Sequence, residues 1–174
     1  MADYAVKRIC FGVDPGIGRL GYGVVGQSGL VYSAGDFGCL TTSSDKPTEL
    51  RILQLYDELA LLVEKNVPDI FSVEKLFFGS NRTTAESVFQ VRGAVLLLAA
   101  KTGIPLIQPK PSEVKMAVCG NGRAEKGQVQ RMISRILNME APPRQDDAAD
   151  ALAIALTGLA MHNYSSLTKS GDKS

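Results

Sequence analysis

The chain has 174 residues, a length that suits one domain and can bury roughly 70% of its unfolded surface, so no disulfide or structural metal is needed for folding. Apolar residues make up 45% and charged residues 21%, which excludes wholesale disorder. With 19 Lys and Arg against 18 Asp and Glu, a histone-like polycation is excluded, although a local basic patch can sit inside a balanced total.

Arg8-Ile-Cys-Phe-Gly-Val-Asp14 is a short apolar run that ends on a carboxylate and is closed by a turn at Pro15, Gly16 and Gly18. Residues 20–25 and 30–39 predict two more strands, separated by Gln27-Ser28-Gly29, so the chain opens as an antiparallel meander. A polar loop at 41–46 follows. Leu50, Leu53, Leu55, Leu59, Leu62 and Val63 then recur near a 3.6-residue period, which predicts an amphipathic helix with Pro47 in its first turn and Asn66 and Pro68 at its end. Residues 69–74 predict a fourth strand, which again closes on a carboxylate, Glu74. A helix is predicted over 83–101, with Val88, Val91, Val95 and Leu98 on one face and Gly103 as its cap. A fifth strand over 104–108 and a short helix over 111–118 come next. The loop Gly120-Asn121-Gly122 leads to a helix over 124–137, Pro142-Pro143 breaks the chain, and a last helix covers 146–162. The order predicts an α/β fold with a five-stranded mixed sheet, antiparallel at first and then extended by parallel strands through helical crossovers. Residues 1–164 read as a single domain and 165–174 as a polar, frayed tail.

Cys10, Cys39 and Cys119 are scattered, with no CxxC or Cys/His spacing. They favour neither a zinc site nor a disulfide framework and fit a reducing cytoplasm. No apolar signal stretch precedes the first strand, so secretion is not expected. The uncharged run 151–168 carries Thr157, His162, Asn163 and Tyr164 and is too polar for a membrane span.

The chemistry lies in the carboxylates. Asp14 and Glu74 end the first and fourth strands, where sites form in α/β sheets. If those strands are neighbours, the two acids share one edge, and their repulsion calls for a divalent cation. The last helix opens with Asp146, Asp147 and Asp150. Asp147 and Asp150 are three apart and Asp146 and Asp150 four apart, so either pair can share a face. Acids in a first turn also have an ordinary role at the positive end of the helix dipole. That role suits Asp146 but not Asp150, which lies within an alanine-rich apolar stretch and needs a partner. Oxygen ligands without clustered His or Cys favour Mg²⁺ or Mn²⁺ over zinc. A pair of such ions about 4 Å apart would clamp the attacking and leaving oxygens of a phosphodiester.

Phe11-Gly-Val-Asp14-Pro-Gly-Ile-Gly-Arg-Leu-Gly-Tyr-Gly-Val-Val25 resembles the opening of the RuvC family of bacterial Holliday junction resolvases. So do Val73-Glu74-Lys-Leu-Phe77-Phe78, Gln90-Val-Arg92-Gly93-Ala94, Pro109-Lys-Pro-Ser-Glu-Val114-Lys115, the stretch 120–126, and Asp147-Ala-Ala-Asp150-Ala-Leu-Ala-Ile-Ala155. These motifs are collinear and cover residues 8–162. The resemblance implies an RNase H-like fold, a homodimer, and Mg²⁺-dependent cutting of four-way DNA junctions by paired nicks that leave 5′-phosphate and 3′-hydroxyl ends. It also implies RuvA and RuvB as branch-migration partners, and it puts the four catalytic and metal-binding acids at Asp14, Glu74, Asp147 and Asp150. Asp146 is an additional neighbour.

Between residues 110 and 135, Lys110, Lys115, Arg123, Lys126, Arg131 and Arg135 face only Glu113 and Glu125. Alone, this reads as a solvated helix face. The glycine-bearing loop and the helix start after it can also cradle phosphate. By resemblance Lys115 and Lys126 contact DNA, and Arg123 joins them from the same basic stretch. Two aromatics after a strand end ordinarily belong to the core, whereas the resemblance assigns Phe77 to stacking on a base at the junction centre. Asn81 and Arg82, in the same loop, are candidate backbone contacts. Gly93 and Ala94 leave room for another helix, such as one from a partner subunit. His162 reads as a charge near a helix C-terminus.

Three rival readings have sequence arguments. The Asp-x-Gly-x-x-x-x-Gly turn also resembles the phosphate loop of actin-like kinases, but those need two lobes and much more chain, and no GxxxxGK[ST] loop is present. A non-catalytic junction-binding scaffold is disfavoured by the presence of all four acids. An RNase H-like nuclease acting on RNA is separated only by substrate comparison.

Overall fold

The computed structural model describes residues 8–76 and 82–171, with only the backbone described at 82–85 and 166–171. In chain order the elements are β1 (Arg8–Asp14), β2 (Arg19–Ser28), β3 (Val31–Thr41), α1 (Thr48–Asn66), β4 (Ile70–Val73), α2 (Arg82–Thr102), β5 (Leu106–Ile107), α3 (Pro111–Cys119), α4 (Lys126–Ile136) and α5 (Asp146–Gly171). The sheet order is β3-β2-β1-β4-β5. β1, β2 and β3 pair antiparallel, and β4 and β5 are added in parallel, as the strand–helix alternation predicts.

Side-chain alternation along the strands sorts the core into two layers. Phe11, Val13, Leu20, Val24, Phe71 and Val73 face α1 and α2, where Leu55, Leu59, Val63, Val91, Val95 and Leu98 meet them. Phe11 and Phe71 stack at 5.5 Å between ring centroids, and each buried ring contributes on the order of 2–3 kcal/mol. Cys10, Val25 and Ile70 face the other way, against α3, α4 and α5.

Three elements depart from the sequence pattern. The inward row of α1 is Leu55, Leu59 and Val63, with Ile52, Tyr56 and Leu62 packed beside it, whereas Leu50 and Leu53 are 50% and 53% exposed, because their spacing from Leu55 turns them to the opposite side of the helix. β5 contracts to two residues because Pro105 and Pro109 flank it and have no N–H for a ladder. Their carbonyls still accept from Phe71 N at 2.9 Å and Lys75 N at 2.8 Å. The backbone of α5 runs on to Gly171, past the end predicted near His162, since neither Gly nor Pro interrupts residues 159–170. Among the described residues, no helix is long and apolar enough to cross a membrane.

Candidate active site

Val13 of β1 lies in parallel register with Val73 of β4. Both valines point to the α1–α2 layer, so the residues after them, Asp14 and Glu74, turn to the α5 side of the same sheet edge. The sheet there is stripped of side chains. A Cβ at Gly12 would lie 2.3 Å from the Ala151 carbonyl oxygen, and one at Gly21 would lie 2.1 Å from that of Asp147. Helix α5 therefore rests directly on the backbones of β1 and β2, and this contact sets where Asp147 and Asp150 stand.

Asp14, Glu74 and Asp150 line one cleft of about 300 Å³ together with Lys115 and Lys126, over an apolar floor that includes Val114, Val129 and Ile154. Lys126 Nζ lies 2.9 Å from Asp150 Oδ2 and 3.7 Å from Asp146 Oδ2. Asp147 is not among the residues that line the cleft. Arg19 Nε approaches its Oδ2 at 3.1 Å, and the Cys39 thiol donates to the same oxygen at 3.8 Å. Asp146 turns outward to α4 and accepts from Gln130 Nε2 at 2.9 Å. Of the two adjacent acids, Asp147 is the one whose charge acts on Asp14.

The electrostatics record a concentration of negative charge. Burial, followed by the charges of Asp150, Glu74 and Asp147, pushes Asp14 up to about 7, with Lys126 opposing. Burial and then Asp150 push Glu74 to about 7, with Lys115 opposing. Burial also raises Asp150, although the bond from Lys126 pulls the other way. That bond raises the Lys126 ammonium above its ordinary value. Among the described residues, no three His, Cys, Asp or Glu side chains are arranged to enclose an ion as they stand; Lys126 and Arg19 engage the three acids of α5 instead. The donors are all carboxylate oxygens and their charge is only partly balanced, a combination that fits a hard divalent cation.

Of the remaining predicted residues, Lys115 and Lys126 reach the cleft. Arg123 lies between α3 and α4, and its backbone N–H donates to Asn121 Oδ1 at 3.0 Å. Phe77 and Asn81 lie outside the described residues, and Arg82 opens α2 without a described side chain. Two arginines were not legible as site residues. Arg92 Nε, on α2, donates to the carbonyl oxygen of Glu74 at 3.1 Å, and its Nη2 donates to Gln108 Oε1. Arg19 holds Asp147. The available signal was weak: an arginine amid the apolar positions of a helix, and another two residues before a glycine on the same strand face.

A five-stranded mixed sheet in the order β3-β2-β1-β4-β5, covered by helices on both faces, is the RNase H-like fold. The family model "Crossover junction endodeoxyribonuclease RuvC" matches residues 10–158, and the chain belongs to that family. It is 46% identical over 155 residues to the Pseudothermotoga lettingae protein of that name, covering 89% of this chain and 96% of the relative. The Thermus thermophilus RuvC structure superposes with a TM-score of 0.82 at 33% identity, covering 90% of this chain and 96% of that one. The T. thermophilus RuvC structure in complex with Holliday junction substrate also gives 0.82, at 31% identity and the same coverage.

Proposed function

We propose that Asp14, Glu74, Asp147 and Asp150 are the catalytic carboxylates of this nuclease, and that it resolves four-way DNA junctions by paired, symmetric phosphodiester hydrolysis leaving 5′-phosphate and 3′-hydroxyl ends. The observation that carries the reading is the Val13–Val73 register beneath a glycine-seated α5, which gathers acids distant in sequence around one cleft. The T. thermophilus relative whose structure holds Holliday junction substrate supports the choice of DNA.

The carboxylates would hold Mg²⁺, two per site, with Mn²⁺ able to substitute. Bound there, the metal supplies Lewis-acid charge and an acidified water. The chain's own residues do the rest. Burial and neighbouring acids push Asp14 and Glu74 up to about 7, so a bound cation would favour their ionised, ligating form. Lys115 and Lys126 lie on opposite helices of the cleft and grip phosphates beside the scissile bond. Arg123, Asn81 and Arg82 extend that backbone contact, and Phe77 stacks on an exposed base. A homodimer presents two such sites to a substrate with two-fold symmetry, so the nicks are symmetric. RuvA and RuvB would be its partners and the cytoplasm its compartment. The free thiols of Cys10, Cys39 and Cys119 suit that compartment.

The test is nicking of a synthetic four-way junction, with linear duplex and RNA–DNA hybrid as controls, in Mg²⁺ and in chelator. Cleavage is expected on the junction only, with Mg²⁺ only. Asp14→Asn is expected to bind the junction and leave it intact, and cutting by that variant in saturating Mg²⁺ would remove the assignment.

A further inference from the structure

The geometry points to Arg19 as a further residue of this nuclease: it positions Asp147 through Nε and takes a DNA phosphate through its remaining guanidinium donors. The inference rests on the proposed role of Asp147 and adds a substrate contact to it. Three observations lead there. Arg19 opens β2 and lies two residues before Gly21, so it shares the face on which α5 is seated. Its Nε sits 3.1 Å from Asp147 Oδ2 while its side chain remains 65% exposed, so the guanidinium keeps surface for a second partner. The Cys39 thiol approaches the same oxygen from the residue that pairs with Gly21 across β2 and β3. Both contacts fall on Oδ2, which leaves Oδ1 as the oxygen for a cation.

An exposed ion pair of this kind adds little to stability, so its value lies in geometry. A forked guanidinium holds a carboxylate with one N–H and a phosphate with others in a fixed planar geometry, whereas the rotatable ammonium of a lysine can touch both groups without fixing either. Arg19 also follows the turn after Asp14 and stands across β1 and β2 from it, since Asp14 pairs with Gly21.

The test uses the full chain and a synthetic four-way junction. Affinity is measured against salt concentration in EDTA, and single-turnover cleavage in saturating Mg²⁺. Arg19→Gln is expected to melt at the same temperature as the unaltered chain, to lower the slope of log affinity against log salt by about 0.9, the equivalent of one phosphate, and to slow cleavage roughly tenfold or more. Arg19→Lys is expected to restore the slope but not the rate. In an Asp147→Asn background, which is read by binding alone, Arg19→Gln is expected to lower the slope in EDTA by the same amount, because the phosphate contact does not need the carboxylate. An unchanged slope overturns the phosphate contact. A full rate for Arg19→Gln or for Arg19→Lys overturns the positioning role. Failure of the carboxylate reading itself registers separately as cleavage by Asp14→Asn, and it removes the positioning role while the slope in EDTA still tests the contact.

Discussion

Lys126 Nζ stands 2.9 Å from Asp150 Oδ2, and the two side chains belong to different helices, α4 and α5. With the lysine 53% and the acid 28% exposed, the pair is worth on the order of 0–1 kcal/mol, too little to explain it as a structural clamp. It serves instead as a counter-charge for a site in which Asp14 and Glu74 are both pushed to about 7. Replacing Lys126 with Met leaves more repulsion for a cation to relieve. The rise in melting temperature on adding saturating Mg²⁺ is therefore expected to be larger in Lys126→Met than in the unaltered chain. Scanning fluorimetry with and without EDTA measures it, and equal rises would show that Lys126 shares no charge with the site.

The same repulsion sets a pH dependence with a definite sign. The ordinary values of Asp14 and Glu74 are 3.8 and 4.5, and both rise to about 7 on folding. Between those limits the native state holds more protons than the unfolded chain, so stability falls as pH rises. The penalty is absent below about pH 4 and complete above about pH 7. In metal-free buffer, Asp14→Asn is expected to be as stable as the unaltered chain near pH 4 and more stable above pH 7, by on the order of 3 kcal/mol. Urea unfolding across that range is the measurement. A constant difference between the two proteins at every pH would rule the mechanism out.

How far the sequence carried depends on whether a signal is local. Asp14 and Glu74 each close an apolar run, so their sharing an edge follows once two strands are placed side by side. Asp150 stood out because a carboxylate among alanines needs a partner. The partner itself, Lys126, comes from a helix that begins 24 residues earlier in the chain. Arg92 reaches the carbonyl of Glu74 across 18 positions, and no spacing rule encodes that reach. Leu50 and Leu53 misled for a different reason: five and two residues before Leu55, they fall on the far side of the helix from the row of Leu55, Leu59 and Val63, so a run of leucines overstates the width of the apolar face. The roles of Gly12 and Gly21 as the seat of α5 also appear only once a helix is laid upon them.

That seat gives two contrasting glycine substitutions. A methyl group at Gly21 would sit 2.1 Å from the Asp147 carbonyl oxygen, and because the obstacle is backbone, α5 itself must lift. Gly21→Ala is expected to destabilise the protein by about 1–3 kcal/mol and to abolish cleavage by displacing Asp147. At Gly93, within α2, a methyl group meets nothing within 4 Å. Gly93→Ala is expected to stabilise the fold by about 0.5–1 kcal/mol through helix propensity. Chemical denaturation of both variants decides it. A neutral Gly21→Ala would mean that α5 is not seated on the sheet backbone, and a destabilising Gly93→Ala would mean that this face of α2 is covered by another chain.

Arg92 couples the position of Glu74 to the helix layer behind the sheet. Its guanidinium donates from Nε to the Glu74 carbonyl and from Nη2 to Gln108, beyond the end of β5, tying the exits of β4 and β5 together at the sheet edge that carries Glu74. Burial lowers its pKa, and a half-buried guanidinium held by neutral acceptors is retained for the geometry it imposes. Arg92→Met removes both bonds and leaves two acceptors without their donor, at a cost of about 1–3 kcal/mol. With the Glu74 backbone released, single-turnover cleavage is expected to fall by more than about tenfold, since small misplacements of a catalytic group are costly. Junction affinity in EDTA is expected to change little, because Arg92 is not proposed to touch DNA. Arg92→Lys keeps the charge but not the fork, so it is expected to recover part of the stability and little of the rate. Loss of stability with cleavage unaltered would leave Arg92 a structural residue only.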